Sequence, residues 1–475
     1  KTAVIVGGGW AGFGCMKALS AAGWHVELMD ASPDPASLKG GWRIEGGGGG
    51  GGEGRKTISR PIEPGFKGFW VQYQNIYKLV KELGIAESEV FTPLTRSGFY
   101  TPNGLFAEAP IFTDLPRLPA PLGQAIYTLP LFRGIPIQDR ASLSGLLVEM
   151  VRYKASPELY LKYDRMTAKQ LFDQLGFSKF LVDKFVCPIL LVSLFAPPEE
   201  LSAAVVMDML YYYAMGHQSD VDVRWARKPI SEALIRPMVA KIQNEATRAN
   251  ITANVNGNRV VVVDKDSGKE RFVEADAVCL AVGVTGLQNI LRGSPSLSQI
   301  SPDLRKSSDL RAIDVISTRI WLDKRVMCPF PSSILADFPE LEGSGATFFC
   351  LDDNVQCCCH QRGSVIAADF YHASQLSTLP DEEIIRRLKE VLLPASVPDF
   401  ANANIIDSWV MRFPKAVTHF SPGSAVLRPP QEIPQVNNLV VAGDLVRDLD
   451  HGSAGLSQER AYVSGLNAGN ILIRR

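Results

Sequence analysis

The opening segment Lys1–Asp30, KTAVIVGGGWAGFGCMKALSAAGWHVELMD, restricts the fold more than any other part of the chain. Ala3–Val6 is apolar and strand-like, and Gly7, Gly9 and Gly12 follow in GxGxxG spacing at a strand-to-helix turn. Gly7 permits the tight turn, Gly9 lets the backbone approach a pyrophosphate, and Gly12 lets the helix pack close to the strand. The helix, expected over about Ala11–Ala22, turns its first N–H groups and positive dipole end toward that phosphate, so Trp10 and Ala11 join the expected contacts. Gly23 ends it, and His25–Asp30 is the second strand. Asp30 lies 18 residues beyond Gly12, where a carboxylate bonds ribose hydroxyls. Glycine triplets alone are common. The ordered series of strand, triplet, helix, strand and acid is not.

The far end of the chain identifies the dinucleotide. Asn438–Asp444, NLVVAGD, is an apolar strand stopping at Gly443-Asp444, and ERAYVSGLNAG at Glu459–Gly469 is a helix. An Asp between strand and helix caps orphan N–H groups. Ala461, Ser464, Gly465, Ala468 and Gly469 supply the small surface that close backbone approach requires. Asp276–Gly283, DAVCLAVG, is a third buried strand, preceded by a twisted ribbon over Arg259–Val273. Three separated segments converging on one ligand predict FAD rather than NAD.

The chain has 475 residues, too many for one ordinary core, with 46% hydrophobic and 21% charged residues. Its 49 basic and 50 acidic residues leave a net charge of −1, which gives no signal for nucleic acid. No run of 18 apolar residues suggests a spanning helix; the longest greasy stretch, Val186–Ala196, contains Pro188. The chain opens directly on strand-like sequence, with no targeting segment in view. Eight cysteines do not make a disulfide scaffold. Cys15, Cys187, Cys279 and Cys328 are scattered; Cys357, Cys358 and Cys359 before His360 suggest a metal site at first. Neighbouring cysteines diverge and no partner CxxC pair exists, so a reduced, loop-borne cluster without metal is expected.

Several further segments carry a family likeness. Lys39–Arg43 reads KGGWR, Glu63–Ile85 reads EPGFKGFWVQYQNIYKLVKELGI, and Ser421-Pro422-Gly423 precedes the last strand. Lys162–Leu171, Ala196–Ala203 and Val223–Leu234 match in the middle. With both ends, the sequence resembles the carotenoid desaturase branch of the FAD-dependent amine-oxidase-like oxidoreductases. The resemblance implies further cofactor contacts at Gly40, Gly41, Arg43 and Val255. The chain departs from the pattern where Trp42 displaces the arginine, where Pro64 and Lys67 stand in a segment in which relatives acting on carotenes often carry histidines, and at the run Gly46–Gly52. Seven successive glycines bury no apolar area and are expected to form a surface loop.

The expected fold class is α/β: a discontinuous FAD-binding Rossmann-like domain (about 1–95, 240–300 and 405–475) with an inserted mixed α+β substrate domain (96–239 and 301–404). Helices are expected over Ser142–Arg152, Thr167–Gly176, Glu200–His217 and Asp381–Leu393, and strands over Ile313–Asp323 and Ser364–Tyr371. No Ser-His-Asp, paired-carboxylate or zincin arrangement stands out, so catalytic side chains stay unassigned. His451 is the nearest candidate and reads better as structural. That pattern fits flavin chemistry, in which the cofactor accepts the hydride and the protein orients.

The resemblance implies an enzyme acting on a hydrophobic polyene by desaturation, with quinone or oxygen as electron acceptor. A carotenoid cis–trans isomerase, an amine oxidase and a non-catalytic flavin-binding subunit stay open. Phe185, Leu190, Leu191, Leu194, Phe195, Met207, Met209, Leu210 and Tyr211–Tyr213 could supply a substrate tunnel, an ordinary helical core being the equal alternative for each. Peripheral membrane contact is expected at Phe185–Pro198. By resemblance, the location would be a plastid, thylakoid-associated, or a bacterial membrane surface.

Overall fold

The computed structural model describes residues 1–32, 42–45, 59–119, 122–128, 136–154, 157–214, 216–248, 258–263, 269–352, 363–449, 451 and 455–475. The strands Leu439–Val441, Ala277–Leu280, Thr2–Val6 and His25–Met29 form, in that order, a parallel sheet. Their continuous apolar runs suit strands covered on both faces; Ala3, Val4, Ile5, Cys279, Val440 and Val441 are all buried. The ribbon is an antiparallel pair, Asn258–Val263 with Glu270–Ala275.

Helices Trp10–Ala21 and Gln458–Arg474 pack on each other beside this sheet through glycine. A Cβ on Gly465 would lie 2.0 Å from the Ala11 carbonyl oxygen, and one on Gly14 would lie 2.6 Å from that of Tyr462. The two backbones therefore touch where any side chain would hold them apart.

A seven-stranded sheet carries the other half, in the order Ile405–His419, Arg311–Leu322, Val365–Tyr371, Gly345–Cys350, Ser332–Leu335, Ser97–Thr101 and Gly104–Ala109. Only the pairing of Ser332–Leu335 with Ser97–Thr101 is parallel within it. Strand Ile405–His419 lies within the segment 405–475 that the sequence division placed with the cofactor, yet it pairs along Arg311–Leu322 in this second sheet.

The expected helices are present as Ile137–Lys154, Ala168–Gln174 and Ala203–Ala214, with Asp381–Arg387 opening a helical stretch that runs on to Ser396. Thr167 and Gln170 close a reciprocal capping box at the start of Ala168–Gln174.

Three expectations are corrected or relocated. No residue of Phe185–Pro198 is exposed, and a Cβ on Gly345 would meet Leu191 Cβ at 2.5 Å, so this stretch is wedged against the sheet and does not face a membrane. Leu190, Leu194, Met207 and Met209 sit in the closed core of the helical region, with Phe185, Phe195, Leu210, Tyr211 and Tyr213 packed against it. They line core rather than a tunnel; burying each is worth roughly 1.5–3 kcal/mol. Cys328, one of the scattered cysteines, is disulfide-bonded to Cys350, which the sequence reading left unpaired with it. Gly40, Gly41, the Gly46–Gly52 run, Val255 and Cys357–His360 lie outside the described residues. Among the described residues no His, Cys, Asp and Glu cluster is arranged to hold a metal, and no helix is long and apolar enough to cross a membrane.

Candidate flavin site

The three cradle glycines differ in what surrounds them. Gly7 has φ +112°, and a Cβ there would lie 2.2 Å from the Ala281 carbonyl oxygen. A Cβ on Gly12 would lie 1.9 Å from the Gly7 carbonyl oxygen, so the helix can approach the turn only without one. Gly9 is the opposite case: its Cβ position meets nothing within 4 Å. Space is left in front of Gly9. The helix behind it has no side-chain cap and no acid in its first turn, so the N–H groups of Trp10 and Ala11 keep their dipole for an anion. A diphosphate fits this cradle.

Asp30 ends the second strand as expected, with Oδ2 accepting from Gly8 N (2.6 Å) and Oδ1 from Ser32 N (2.7 Å). Its carboxylate is thereby fixed beside the glycine turn. Arg43 lies in the short strand Trp42–Glu45, paired with Ser59–Ile62.

At the same end of the sheet, beyond the edge strand Leu439–Val441, Gly443 takes φ +135°, a conformation open only to glycine without strain, and its N–H donates to Ser464 Oγ at 2.8 Å. Asp444 accepts from Thr418 Oγ1 (3.2 Å), and burial raises its pKa. Arg460, itself buried, donates to the carbonyls of Asp444 (3.2 Å) and Val446 (2.6 Å), and burial lowers its pKa to about 10. Ala461 occupies the first turn of the terminal helix, half-buried. The structure thus brings Gly7, Gly9, Trp10, Ala11, Gly12 and Asp30 together at one end of the parallel sheet and sets Gly443, Asp444 and Ala461 beside the same helix pair.

Gln458 ties helix Trp10–Ala21 to Gly68. Trp10 Nε1 donates to Gln458 Oε1 (3.0 Å), and Gln458 Nε2 donates to the Gly68 carbonyl (3.0 Å). Next to it, buried Glu459 accepts from Asn75 N and Nδ2 (both 2.7 Å) and Ile76 N (3.0 Å). It caps helix Gln74–Leu83 from a distance in place of a local cap. Neither role was visible in the sequence, where a Gln-Glu-Arg run opening a helix looks like solvated surface; only Ser457, which accepts from Arg460 N, carried a readable capping signal.

The segment Glu63–Gly68 is clamped on the seven-stranded sheet. Asp369, 3% exposed, takes Ser317 Oγ on Oδ1 (2.6 Å) and Phe66 N on Oδ2 (3.2 Å). Gly65 N donates to Ser317 Oγ (3.1 Å), and Arg319 donates to the Glu63 carbonyl (3.1 Å). Both Glu63 oxygens accept from Ile230 N (3.1 and 3.3 Å). Burial raises the pKa of Glu63 and of Asp369. Lys67 turns its ammonium back onto the Pro64 carbonyl at 2.8 Å.

Against this segment Phe66 stacks on Trp225 (5.3 Å, 13°), and both meet Phe349 at 5.1 Å. His451, half-buried, lies 5.2 Å from the Tyr212 ring, in an aromatic group with Tyr213 and Trp70.

Across residues 20–473 the sequence matches the pattern of flavin-containing amine oxidoreductases. The chain belongs to that family. This flavin-containing oxidoreductase is 24% identical to a carotenoid phi-ring synthase of Streptomyces griseus, over 99% of this chain and 87% of the relative. It is 23% identical to the 15-cis-phytoene desaturase of Arabidopsis thaliana, over 97% of this chain and 78% of that protein. In three dimensions it is similar to cyclohexylamine oxidase from Brevibacterium oxydans, with a TM-score of 0.65, 15% identity and coverage of 100% and 98%. The chain is an FAD-dependent oxidoreductase with an amine-oxidase-type α/β fold and carotenoid-related relatives.

Proposed function

We propose that this enzyme desaturates a carotenoid, a long polyene or its ring end-group. Bound FAD would supply a hydride acceptor for one substrate carbon, with the neighbouring carbon's proton going to water and a quinone or oxygen as the final acceptor of the electrons. The observation that carries this reading is the apolar cluster in which Glu63–Gly68 is seated. Phe66, Trp225 and Phe349 are joined there by Trp321, Leu351 and Met411 in one apolar cluster. The two nearby buried carboxylates have no oxygen free of a donor: Glu63 serves Ile230 N, and Asp369 serves Ser317 and Phe66. An alkylammonium substrate wants an acceptor or a negative group. A hydrocarbon wants rings and exclusion of water. The names of the two relatives that span nearly the whole chain support the same choice.

In this reading Trp10, Ala11, Gly9, Asp30 and Asp444 hold the cofactor, with Gly40, Gly41, Arg43 and Val255 as further contacts from the resemblance. Asp369, Ser317 and Arg319 hold Glu63–Gly68 in position, and the aromatic wall keeps the reacting bond dry. A redox-neutral polyene isomerase would use the same wall.

Anaerobic mixing of the flavin-loaded enzyme with phytoene, ζ-carotene or β-carotene in detergent tests the proposal. Bleaching of the oxidised flavin band with a product of extended or aromatised conjugation is expected. Isomer change that needs pre-reduced flavin would replace desaturase by isomerase. Bleaching by cyclohexylamine and by no carotene would overturn the reading in favour of amine oxidation.

A further inference from the structure

Away from the glycine cradle, a cavity of about 460 Å³ opens where helix Val284–Gly293 meets the ends of strands Arg311–Leu322 and Ile405–His419. Its lining includes Glu200, Gln288, Arg311, His372, Lys415 and His419, and none of the residues assigned above to the cofactor. The volume falls in the range of small-ligand sites, but the wall is charged where a polyene site would be greasy.

The charges are unevenly partnered. Glu200 Oε2 lies 3.2 Å from His372 Nε2 and 3.7 Å from His419 Nε2, and His419 Nε2 also reaches the Glu200 carbonyl at 3.1 Å. Two imidazoles from different elements therefore turn onto the single acid. Arg311 and Lys415 are left with no side-chain hydrogen bond or ion pair among the described residues. Gln288 is held in place by its bonds to the Ser308 (3.0 Å) and Leu310 (2.8 Å) carbonyls.

The backbone is fixed in an unusual way as well. His372 and Lys415 both take left-handed conformations, with φ of 57° and 51°. For residues with a Cβ this costs of order 1 kcal/mol and persists only where the surroundings impose it. Here Lys415 N is bound by Asp314 Oδ1 at 2.7 Å, its carbonyl by Thr285 Oγ1 at 3.1 Å, and Ala373 N, next to His372, by the Asp314 carbonyl at 3.0 Å. One aspartate thus pins both lining turns.

We propose that this cavity is a second binding site, for a small oxyanion carried on a phosphate or carboxylate group and gripped by Arg311 and Lys415. The guanidinium supplies a planar pair of donors and the ammonium a point charge, the two usual partners of such groups. On the same strand, His419 lines the cavity while its neighbour Thr418 bonds Asp444. An occupant would therefore bear on the strand that also supports the cofactor-side aspartate.

The test uses flavin-saturated enzyme, so that the diphosphate cradle is filled, with calorimetric titration at constant ionic strength. Inorganic phosphate and pyrophosphate form one arm and citrate the other, which separates a phosphate ligand from a carboxylate. Saturable binding of at least one probe is expected, weakened about tenfold by Arg311→Gln and further by the added Lys415→Gln, since a charge-assisted hydrogen bond is worth roughly that. Glu200→Gln should tighten it several-fold by removing the competing acid. Flavin content and Tm without probe should be unchanged in the Arg311 and Lys415 variants, whose side chains make no hydrogen bond or ion pair among the described residues. Absence of saturable binding in both arms, or affinity unmoved by both substitutions, would show these to be ordinary solvated cations and end the proposal.

Discussion

The parallel sheet uses strands of only three to five residues, Leu439–Val441 being the shortest, whereas the seven-stranded sheet contains strands of 12 and 15 residues. The short strands gain little from their own ladder. Their precision comes from backbone contact, with Gly12 against Gly7 and Gly465 against Ala11, where the tolerance is less than one carbon atom. The long sheet instead acts as a platform to which Glu63–Gly68 is bound by side chains: Asp369, Ser317 and Arg319. Steric exclusion therefore fixes the cofactor side, and hydrogen bonding fixes the facing wall. Changes to the first should fail abruptly, and changes to the second should fail by degrees.

The largest effect is expected from Gly465→Val. The new side chain meets backbone within 2.0 Å, so loss of more than about 3 kcal/mol or loss of soluble protein should follow, read by urea denaturation. Gly9→Val is the control within the same region. Its side chain enters open space, so the fold should persist while bound flavin disappears from the spectrum after gel filtration. A Gly9→Val protein that keeps stoichiometric flavin would remove the cradle assignment.

On the clamped side, Glu459→Ala leaves the Asn75 and Ile76 N–H groups without their acceptor and should cost about 2 kcal/mol, with fraying of Gln74–Leu83 seen by hydrogen exchange. Asp369→Asn keeps the shape but loses the charge and one acceptor. A cost of about 1 kcal/mol is expected, with flavin retained and the substrate step slowed. If Asp369→Asn were as destructive as Gly465→Val, the contrast between the two regions would not hold.

The cofactor side was largely legible in the sequence because backbone contact demands glycine, and glycines in fixed order between strand and helix can be read directly. The spacing of Gly7, Gly9 and Gly12, the helix after them and the strand ending at Gly443 are all present in the fold. The clamp was not legible. Asp369, Ser317 and Glu459 are ordinary polar residues, and the backbone N–H groups of Phe66, Gly65 and Asn75 that they hold lie 252 to 384 positions away, so no local pattern marks them. The greasy helix Cys187–Ser193 was misread for a related reason: an apolar run shows that a surface must be covered, not whether lipid or a sheet covers it.

The smallest effect concerns acid. Burial lowers the pKa of His419 below its ordinary value near 6.5. As pH falls through about 6.5 the unfolded chain takes up this proton before the native one does, so this contribution to stability is complete above that pH and declines below it. Buried Glu459, whose pKa is raised, contributes with the opposite slope, favouring the native state as pH falls. His419→Gln should flatten the acid side of a Tm-versus-pH curve between pH 7 and 5. A curve unchanged by that substitution would mean that the ring is as solvated in the native state as in the unfolded one.

The contact between the first and last helices also sets an order of events during synthesis. Trp10 and Gln458 are separated by 448 positions, so the outer face of helix Trp10–Ala21 is covered only by a much later part of the chain. Until Gln458–Arg474 is made, the helix that follows the glycine turn lacks the partner packed on it. Deleting Gln458–Arg474 would leave helix Trp10–Ala21 with its glycine face uncovered.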